Sequence, residues 1–375
     1  PESGAVVSIF DKELQREWVD IQAPHGFNQV VARWPQTGET VVPVRSTIRH
    51  GESGPVCASL IVVGDAPGCP RRTQEIILYD SIKRIDFANR LLRDATPLLE
   101  LYFAFPFAIS NPRFRYEAAN AVIEPIHDQL PGTNTDAYAV QHWVEARDEA
   151  GGVIWSSLEA PVVMLGGLWP GYLSQAHHAV TPPGYGHEFL RDPAQLDKGH
   201  IYSYAMINNF RTNFQPVQVA DVLFRYSFTS HGGAAGNEQA TPFGWGAATP
   251  LAPVCLRMPR VAGNQAASGP WLPPAASFCQ LDPGNVILLA FKAAEDGDGL
   301  IVRLAEIEGQ ATTVTVTLPF VEIVQALQTN LVEEDESVLT YDRHSVRVPI
   351  AAHGIATVRC RTAQRWPVAT RVAWH

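Results

Sequence analysis

"LLELYFAFPF" runs from Leu98 to Phe107. Side chains alternate along an extended strand, so Leu99, Leu101, Phe103 and Phe105 share one face. Leu98, Glu100, Tyr102 and Ala104 share the other. A period of two with aromatics on both faces predicts a strand set deep in a β-protein. Shorter runs of the same kind lie on either side, among them Ala5–Phe10, Ser46–His50, Val56–Val63, Gln74–Tyr79, Arg84–Asn89, Tyr138–Val144, Val153–Ser156, Val162–Leu165 and Leu223–Thr229. The 28 glycines and 29 prolines punctuate them, and helical periodicity is scarce. Many short strands separated by turn signals predict an all-β chain built on a large antiparallel sandwich.

The stretch from Ala247 to Ala276 is rich in Pro and Ala and reads as a connector. From Phe278 onward the strand pattern is cleaner, with Val286–Lys292, Leu300–Glu306, Thr312–Leu318 and Ser345–Ile350 prominent. About seven strands in roughly 85 residues match the size of an immunoglobulin-like β-sandwich. The expected division is a large β domain at 1–275 and a small β-sandwich at 276–375.

The chain has 375 residues, of which 46% are hydrophobic and 18% charged, with a formal net charge of −10. That balance argues against phosphate-backbone binding, which favours a basic face, so no nucleic acid partner is expected. No apolar run is long enough for a membrane helix, and no membrane partner is expected. The first residue is Pro1 and no signal-like stretch follows, so a processed or cloned part of a longer protein is expected. Five scattered cysteines without a C-x-x-C read as reduced thiols, and with no N-x-[ST] sequon they lean toward a bacterial cytoplasm. Phosphate-binding glycine motifs, a G-x-S-x-G elbow and H-E-x-x-H are all missing.

Several stretches carry candidate chemistry. "HIYSYAMINNFRTNF" (His200–Phe214) sets Asn208, Asn209, Arg211, Thr212 and Asn213 among aromatics. Amides and a guanidinium can bind vicinal sugar hydroxyls while aromatic faces pack on ring C–H groups. An internal polar network is the competing reading. Trp169 in "GGLWPG" and Trp245 in "PFGWGA" are placed in Gly/Pro loops, as sugar platforms or interface plugs. His177, His178 and Tyr185, with His187 and Glu188, lie in a Gly/Pro-rich loop where an acid/base pair, a metal or a docking contact are the alternatives. "RFRYE" (Arg113–Glu117) reads as a charged strand edge. "YDSIKRIDF" (Tyr79–Phe87) reads as a hairpin with cross-strand ion pairs, "AEDGDG" (Ala294–Gly299) as a turn, and "EEDESV" (Glu333–Val338) as a solvated turn.

Four segments, in order, resemble the C-terminal half of family 38 glycoside hydrolases, the α-mannosidases. "SIFDKELQREWVD" with "APHGFNQ" (Ser8–Gln29) is similar to the start of that half, and "LYDSIKRIDFANRL" with "FAFPFAI" to its paired strands. "AFKAAEDGDGLIVRLAEIEG" (Ala290–Gly309) resembles its late hairpin. "LQTNLVEEDE" and "VPIAAHGIATVRC" resemble its terminal strands. The resemblance implies a large supersandwich like that of galactose mutarotases, followed by the small sandwich. It also implies retaining hydrolysis by two carboxylates. The zinc site and the nucleophile would lie in an N-terminal catalytic domain that this sequence does not match. The chain itself is then expected to hold no cofactor and to be inactive alone. Its expected partners are that N-terminal domain and an α-mannoside-type glycan, and homo-oligomerisation stays open. A stand-alone carbohydrate-binding module, or an aldose epimerase or lyase using the loop histidines, are the alternatives.

Overall fold

The computed structural model describes residues 2–35, 37–97, 99–169, 189–208, 217–253 and 275–363. The chain divides into two compact units, residues 1–235 with 239–249, and residues 236–238 with 250–375. Residues 254–274, which lie between this division and the expected limit at 275, are outside the described ones.

The large unit contains β1 (Phe10–Asp11), β2 (Arg16–Glu17), β3 (Gln29–Trp34), β4 (Glu39–Val41), β5 (Ser46–Ser53), β6 (Cys57–Ala66), β7 (Cys69–Tyr79), β8 (Ile85–Leu92) and β9 (Glu100–Ser110). Next come β10 (Arg113–Ala118), β11 (Ala121–Ile123), β12 (Tyr138–Ala139), β13 (Val144–Arg147), β14 (Gly151–Ser157), β15 (Val162–Leu165), β16 (Lys198–Ile207) and β17 (Asp221–Gly232). Among the described residues, nine strands pair in the order β11-β10-β13-β14-β17-β8-β7-β6-β5, and six in the order β12-β15-β16-β9-β3-β4. All pairings are antiparallel, as an alternating pattern with short turns requires.

The aromatic face predicted for "LLELYFAFPF" builds the core between these sheets. Leu101, Phe103, Phe105 and Phe107 are fully buried with Phe27, Phe87, Trp155, Tyr226 and Phe228. Phe105 sits 4.9 Å from Tyr226, 5.3 Å from Trp155 and 5.5 Å from Phe27, ring centre to ring centre, in tilted or edge-on contacts. Such geometry suits the positive edge and negative face of aromatic rings. A polar knot is set into the same core. Asn28, at φ +57°, a conformation that Asn tolerates better than most residues, exchanges amide hydrogen bonds with Asn89 at 3.1 and 2.8 Å. Gln74 donates to the Asn28 carbonyl and to Asn89, so the buried amides are matched.

Two sequence expectations are corrected here. "RFRYE" is not a sheet edge, because β10 pairs with β13 on one side and β11 on the other. Arg115 reaches the buried Glu145 at 2.6 Å, while Arg113 pairs with Glu124 at the surface. "PFGWGA" is not a loop but part of helix α1 (Asn237–Ala248), with Pro242 inside it. Gly244 serves close packing rather than a turn, since a Cβ there would stand 2.8 Å from the Trp143 side chain. A glycine required by packing looks in sequence like a glycine required by a turn.

The small unit contains β18 (Gln280–Asp282), β19 (Val286–Ala293), β20 (Leu300–Glu306), β21 (Thr312–Thr317), β22 (Ile323–Thr329), β23 (Asp335–Val338), β24 (Thr340–Tyr341), β25 (Ser345–Ile350) and β26 (Ile355–Thr362). They form sheets ordered β18-β21-β25-β24 and β19-β20-β26-β22-β23. Val302, Leu304, Val314, Val316, Val346, Val348 and Val358 fill the core of this immunoglobulin-like sandwich. "AEDGDG" is the turn between β19 and β20, as expected. "EEDESV" is more than a solvated turn. Glu333 is buried and binds Lys292, while Asp335 binds Arg359 and Arg361. Among the described residues no helix is long and apolar enough to cross a membrane.

Candidate functional site

The second face of the six-stranded sheet is polar, aromatic and covered. On β9 it carries Glu100, Tyr102 and Ala104; on β16 it carries His200, Tyr202 and Tyr204; on β3 it carries Val31 and Arg33. Cross-strand register makes neighbours of these residues, because Arg33 pairs with Glu100, Val31 with Tyr102, and Tyr204 with Tyr102. Their side chains therefore meet on one side of the pleat.

Glu100 is 0% exposed and Arg33 nearly so. Arg33 Nε donates to Glu100 Oε2 at 2.7 Å, and Arg33 Nη2 to the Tyr102 hydroxyl at 2.6 Å. Tyr102 donates to Glu100 Oε2 at 3.0 Å, and Tyr204 to Oε1 at 2.9 Å. The two tyrosine rings stack 4.5 Å apart. Burial alone would favour the neutral guanidine, but Tyr102 and Glu100 outweigh it and hold Arg33 more firmly protonated than usual. Burial, reinforced by the Glu100 charge, pushes both tyrosine hydroxyls far above their ordinary range, so they stay donors at any physiological pH.

A second set adjoins through β16. His25 Nδ1 lies 3.0 Å from the Tyr202 hydroxyl, and His200 Nε2 lies 2.9 Å from Asp20 Oδ2. Burial, with His200 nearby, lowers the His25 pKa to about 4, so its ring is neutral at pH 7. Burial also drives the Tyr202 hydroxyl well above its ordinary range. Asp20 keeps a quarter of its side chain exposed and gives this set an outlet to solvent. Chemically the face fixes orientations. Both Glu100 oxygens are engaged, and the histidines have defined partners. It offers a stiff polar floor rather than an unshielded nucleophile.

The sequence candidates are distributed as follows. Asn208, at the end of β16, is buried and turned inward: its side-chain oxygen accepts from Leu99 N at 2.6 Å, and its NH₂ donates to the Thr96 carbonyl. Trp169 is half-buried, packs against the polar-face cluster, and donates its indole N–H to the Leu165 carbonyl at 2.7 Å. Its own carbonyl accepts from Arg33 Nη1, which ties it to the ion pair. Trp245 stands apart, on α1. Its indole donates to Glu117 Oε1 at 2.7 Å and its ring lies 4.6 Å from His142, which contacts Glu117 Oε2 at 2.9 Å. Burial raises the Glu117 pKa although Trp245 and His142 pull it down. Asn209, Arg211, Thr212, Asn213, His177, His178, Tyr185, His187 and Glu188 lie outside the described residues.

Arg33, Glu100, Tyr102, His25, Asp20 and His142 were not offered as site residues by the sequence, and Glu117 was read only as part of the charged edge "RFRYE". A signal existed for two of them. Arg33 in "VVARW" and Glu100 in "LLELY" are lone charges inside apolar strands, and each needs a partner of opposite sign. Among the described residues no three His, Cys, Asp or Glu side chains come together to hold a metal ion. The described residues therefore supply no zinc centre.

Comparison with known families places two matches along the chain. Residues 1–154 match the glycosyl hydrolases family 38 C-terminal domain, and residues 285–358 match the glycosyl hydrolases family 38 C-terminal beta sandwich domain. Together they take in more than half of the chain. No curated protein matches. Among solved structures, an alpha-mannosidase from Enterococcus faecalis V583 aligns over 96% of this chain and 41% of its own length, with a TM-score of 0.66 and 13% identity. A family 38 glycosyl hydrolase protein from Enterococcus faecalis aligns over 96% and 42%, with a TM-score of 0.65 and 13% identity. A GalM/aldose epimerase homologue from C. elegans aligns over 62% of this chain and 94% of its own, at a TM-score of 0.34 and 11% identity. The chain thus spans about two fifths of the length of the family 38 structures it resembles. Both family matches agree on one assignment: the chain belongs to glycosyl hydrolase family 38, and it carries that family's C-terminal β-sandwich domains.

Proposed function

We propose that the chain is the supporting C-terminal half of an α-mannosidase-type glycoside hydrolase. The single observation that carries this reading is the agreement of both family 38 C-terminal domain matches with an alignment spanning 96% of the chain. The half holds a stiff polar floor, the Arg33–Glu100–Tyr102–Tyr204 and His25–Tyr202–His200–Asp20 sets, beside a glycan cleft. The zinc and the carboxylates that perform retaining hydrolysis belong to an N-terminal catalytic domain, which is the half's partner. In this reading the chain alone has no turnover and works in a bacterial cytoplasm.

The reading assigns the cleft rim to the residues that continue from β16. Asn208 anchors the start of that segment through Leu99 and Thr96. Asn209, Arg211, Thr212 and Asn213 then supply amide, guanidinium and hydroxyl donors for sugar hydroxyls, Trp169 supplies aromatic surface, and Trp245 on α1 offers a separate aromatic surface. His177, His178 and Tyr185 belong to the same proposal as rim or docking residues. In the complete enzyme, Arg211→Ala should lower kcat/KM for an aryl α-mannoside at least about tenfold, the loss of a charge-assisted hydrogen bond, with an unchanged urea midpoint. Unchanged kcat/KM in this variant and in Asn209→Ala would remove that segment from the cleft.

A further inference from the structure

A groove of about 420 Å³ opens beside β1, the turn from β7 to β8, and β17. It lies within the large unit and shares no residue with the polar face described above. We propose that this groove binds a neutral saccharide unit.

Two features select that ligand class, and a third supplies a way to follow it. The first is apolar wall. Phe10, Leu78 and Ile82 line the groove and are all at least half exposed. Together they offer surface for the C–H face of a sugar ring. The second is charge balance. Asp11, Glu13 and Asp80 face Lys12, Lys83 and Arg84 in the same lining. An ionic ligand of either sign would meet as much repulsion as attraction, whereas hydroxyl groups serve both kinds of partner. The third is a buried reporter: Trp18 lines the groove while only 1% exposed, so a sugar ring seated on the apolar wall changes the surroundings of its indole.

The polar side is held in place. Lys83 bridges Asp11 at 3.0 Å and Glu13 at 2.8 Å, rather than pairing across the hairpin. Asp11 also accepts from the Ser230 hydroxyl at 2.6 Å and from the backbone of Glu13 and Leu14 at 2.8 and 3.0 Å. Burial acts to raise the Asp11 pKa, but these hydrogen bonds outweigh it and bring it to about 2. The volume falls in the range of small-ligand sites and accommodates a pyranose.

The test follows the Trp18 indole resonance in chain labelled with ¹⁵N at the tryptophan indoles, assigned by its loss in Trp18→Phe. Titration with methyl α-D-mannopyranoside should move that peak saturably, with an apparent Kd in the millimolar range, about 1–10 mM. Ile82→Glu changes an exposed turn residue and leaves the core intact. It should weaken the binding at least about tenfold, since the carboxylate removes apolar wall and adds unbalanced charge. A Trp18 peak that stays fixed up to about 50 mM sugar, or a shift that Ile82→Glu leaves unchanged, would overturn the proposal. Because this readout involves no hydrolysis, it stands or falls independently of the mannosidase reading.

Discussion

Glu100→Ala is expected to lower the stability of the large unit by about 3–5 kcal/mol, the range for removing one partner of a buried ion pair. Glu100 accepts from Arg33, Tyr102 and Tyr204. Its removal leaves the Arg33 guanidinium, which also donates to the Tyr102 hydroxyl and the Trp169 carbonyl, without its carboxylate inside the covered sheet face. Two phenolic hydroxyls lose their acceptor as well. The truncation also opens a cavity between β3 and β9, which adds to the cost. The transition of the large unit in urea, followed by tryptophan fluorescence, measures the effect. The double variant Arg33→Met with Glu100→Leu should lose less than Glu100→Ala, because no charge is then left buried. A loss below about 1 kcal/mol in Glu100→Ala would mean that the pair is open to water, which its burial contradicts.

The second large effect is a loss of stability with acid that belongs to His25. Its folded pKa is about 4, while an unfolded histidine titrates near 6.5. Between these values the unfolded chain binds the proton and the folded chain does not. Stability is therefore greatest above pH 6.5 and falls as pH drops from 6.5 toward 4. The two pKa values put the total near 3 kcal/mol. Around His25 stand the Tyr202 hydroxyl, His200 and, beyond it, Asp20. Carboxylates with lowered pKa, such as Asp11 at about 2, lose their contribution at lower pH, so the windows separate. Unfolding free energies measured at pH 7, 5.5 and 4.5 should fall steadily in the natural chain. They should be much flatter in His25→Gln, which keeps a hydrogen-bonding group but cannot charge. Equal slopes in the two proteins would assign the acid sensitivity elsewhere.

Much of the fold was legible because burial imposes a period of two. Leu101, Phe103 and Phe105 read as one face and form the core. The same alternation placed Glu100, Tyr102 and Ala104 on the opposite face but could not say that this face is covered too. Coverage depends on chain brought from elsewhere, and a strand carries no record of what lies on it. "HIYSYAMINNFRTNF" shows the same limit. Ile201 and Ser203 are core-side or buried, while His200, Tyr202 and Tyr204 serve the polar face through partners more than ninety residues away in sequence. Asn208 was recognised as polar and unusual, and its side chain closes the backbone at Leu99 and Thr96, contacts that alternation within one strand does not reveal. The loop reading of "PFGWGA" was overturned for another reason: Pro242, Gly244 and Gly246 look like loop punctuation, and the approach of α1 to Trp143 explains Gly244 in a helix. The groove residues Asp11, Trp18 and Lys83 come from segments some 65 residues apart. The hairpin reading of "YDSIKRIDF" expected ion pairs across the strands, but Arg84 pairs with Asp86 two residues on, and Lys83 reaches Asp11 and Glu13 in another segment.

Hydrolysis of a chromogenic α-mannoside, with zinc supplied, tests the central claim most directly. It is to be assayed with this chain alone and with the chain joined to a family 38 N-terminal catalytic domain. The account predicts turnover in the joined protein, abolished by a zinc chelator, and none in the chain alone. Turnover by the chain alone would contradict it and would place a catalytic pair within these 375 residues.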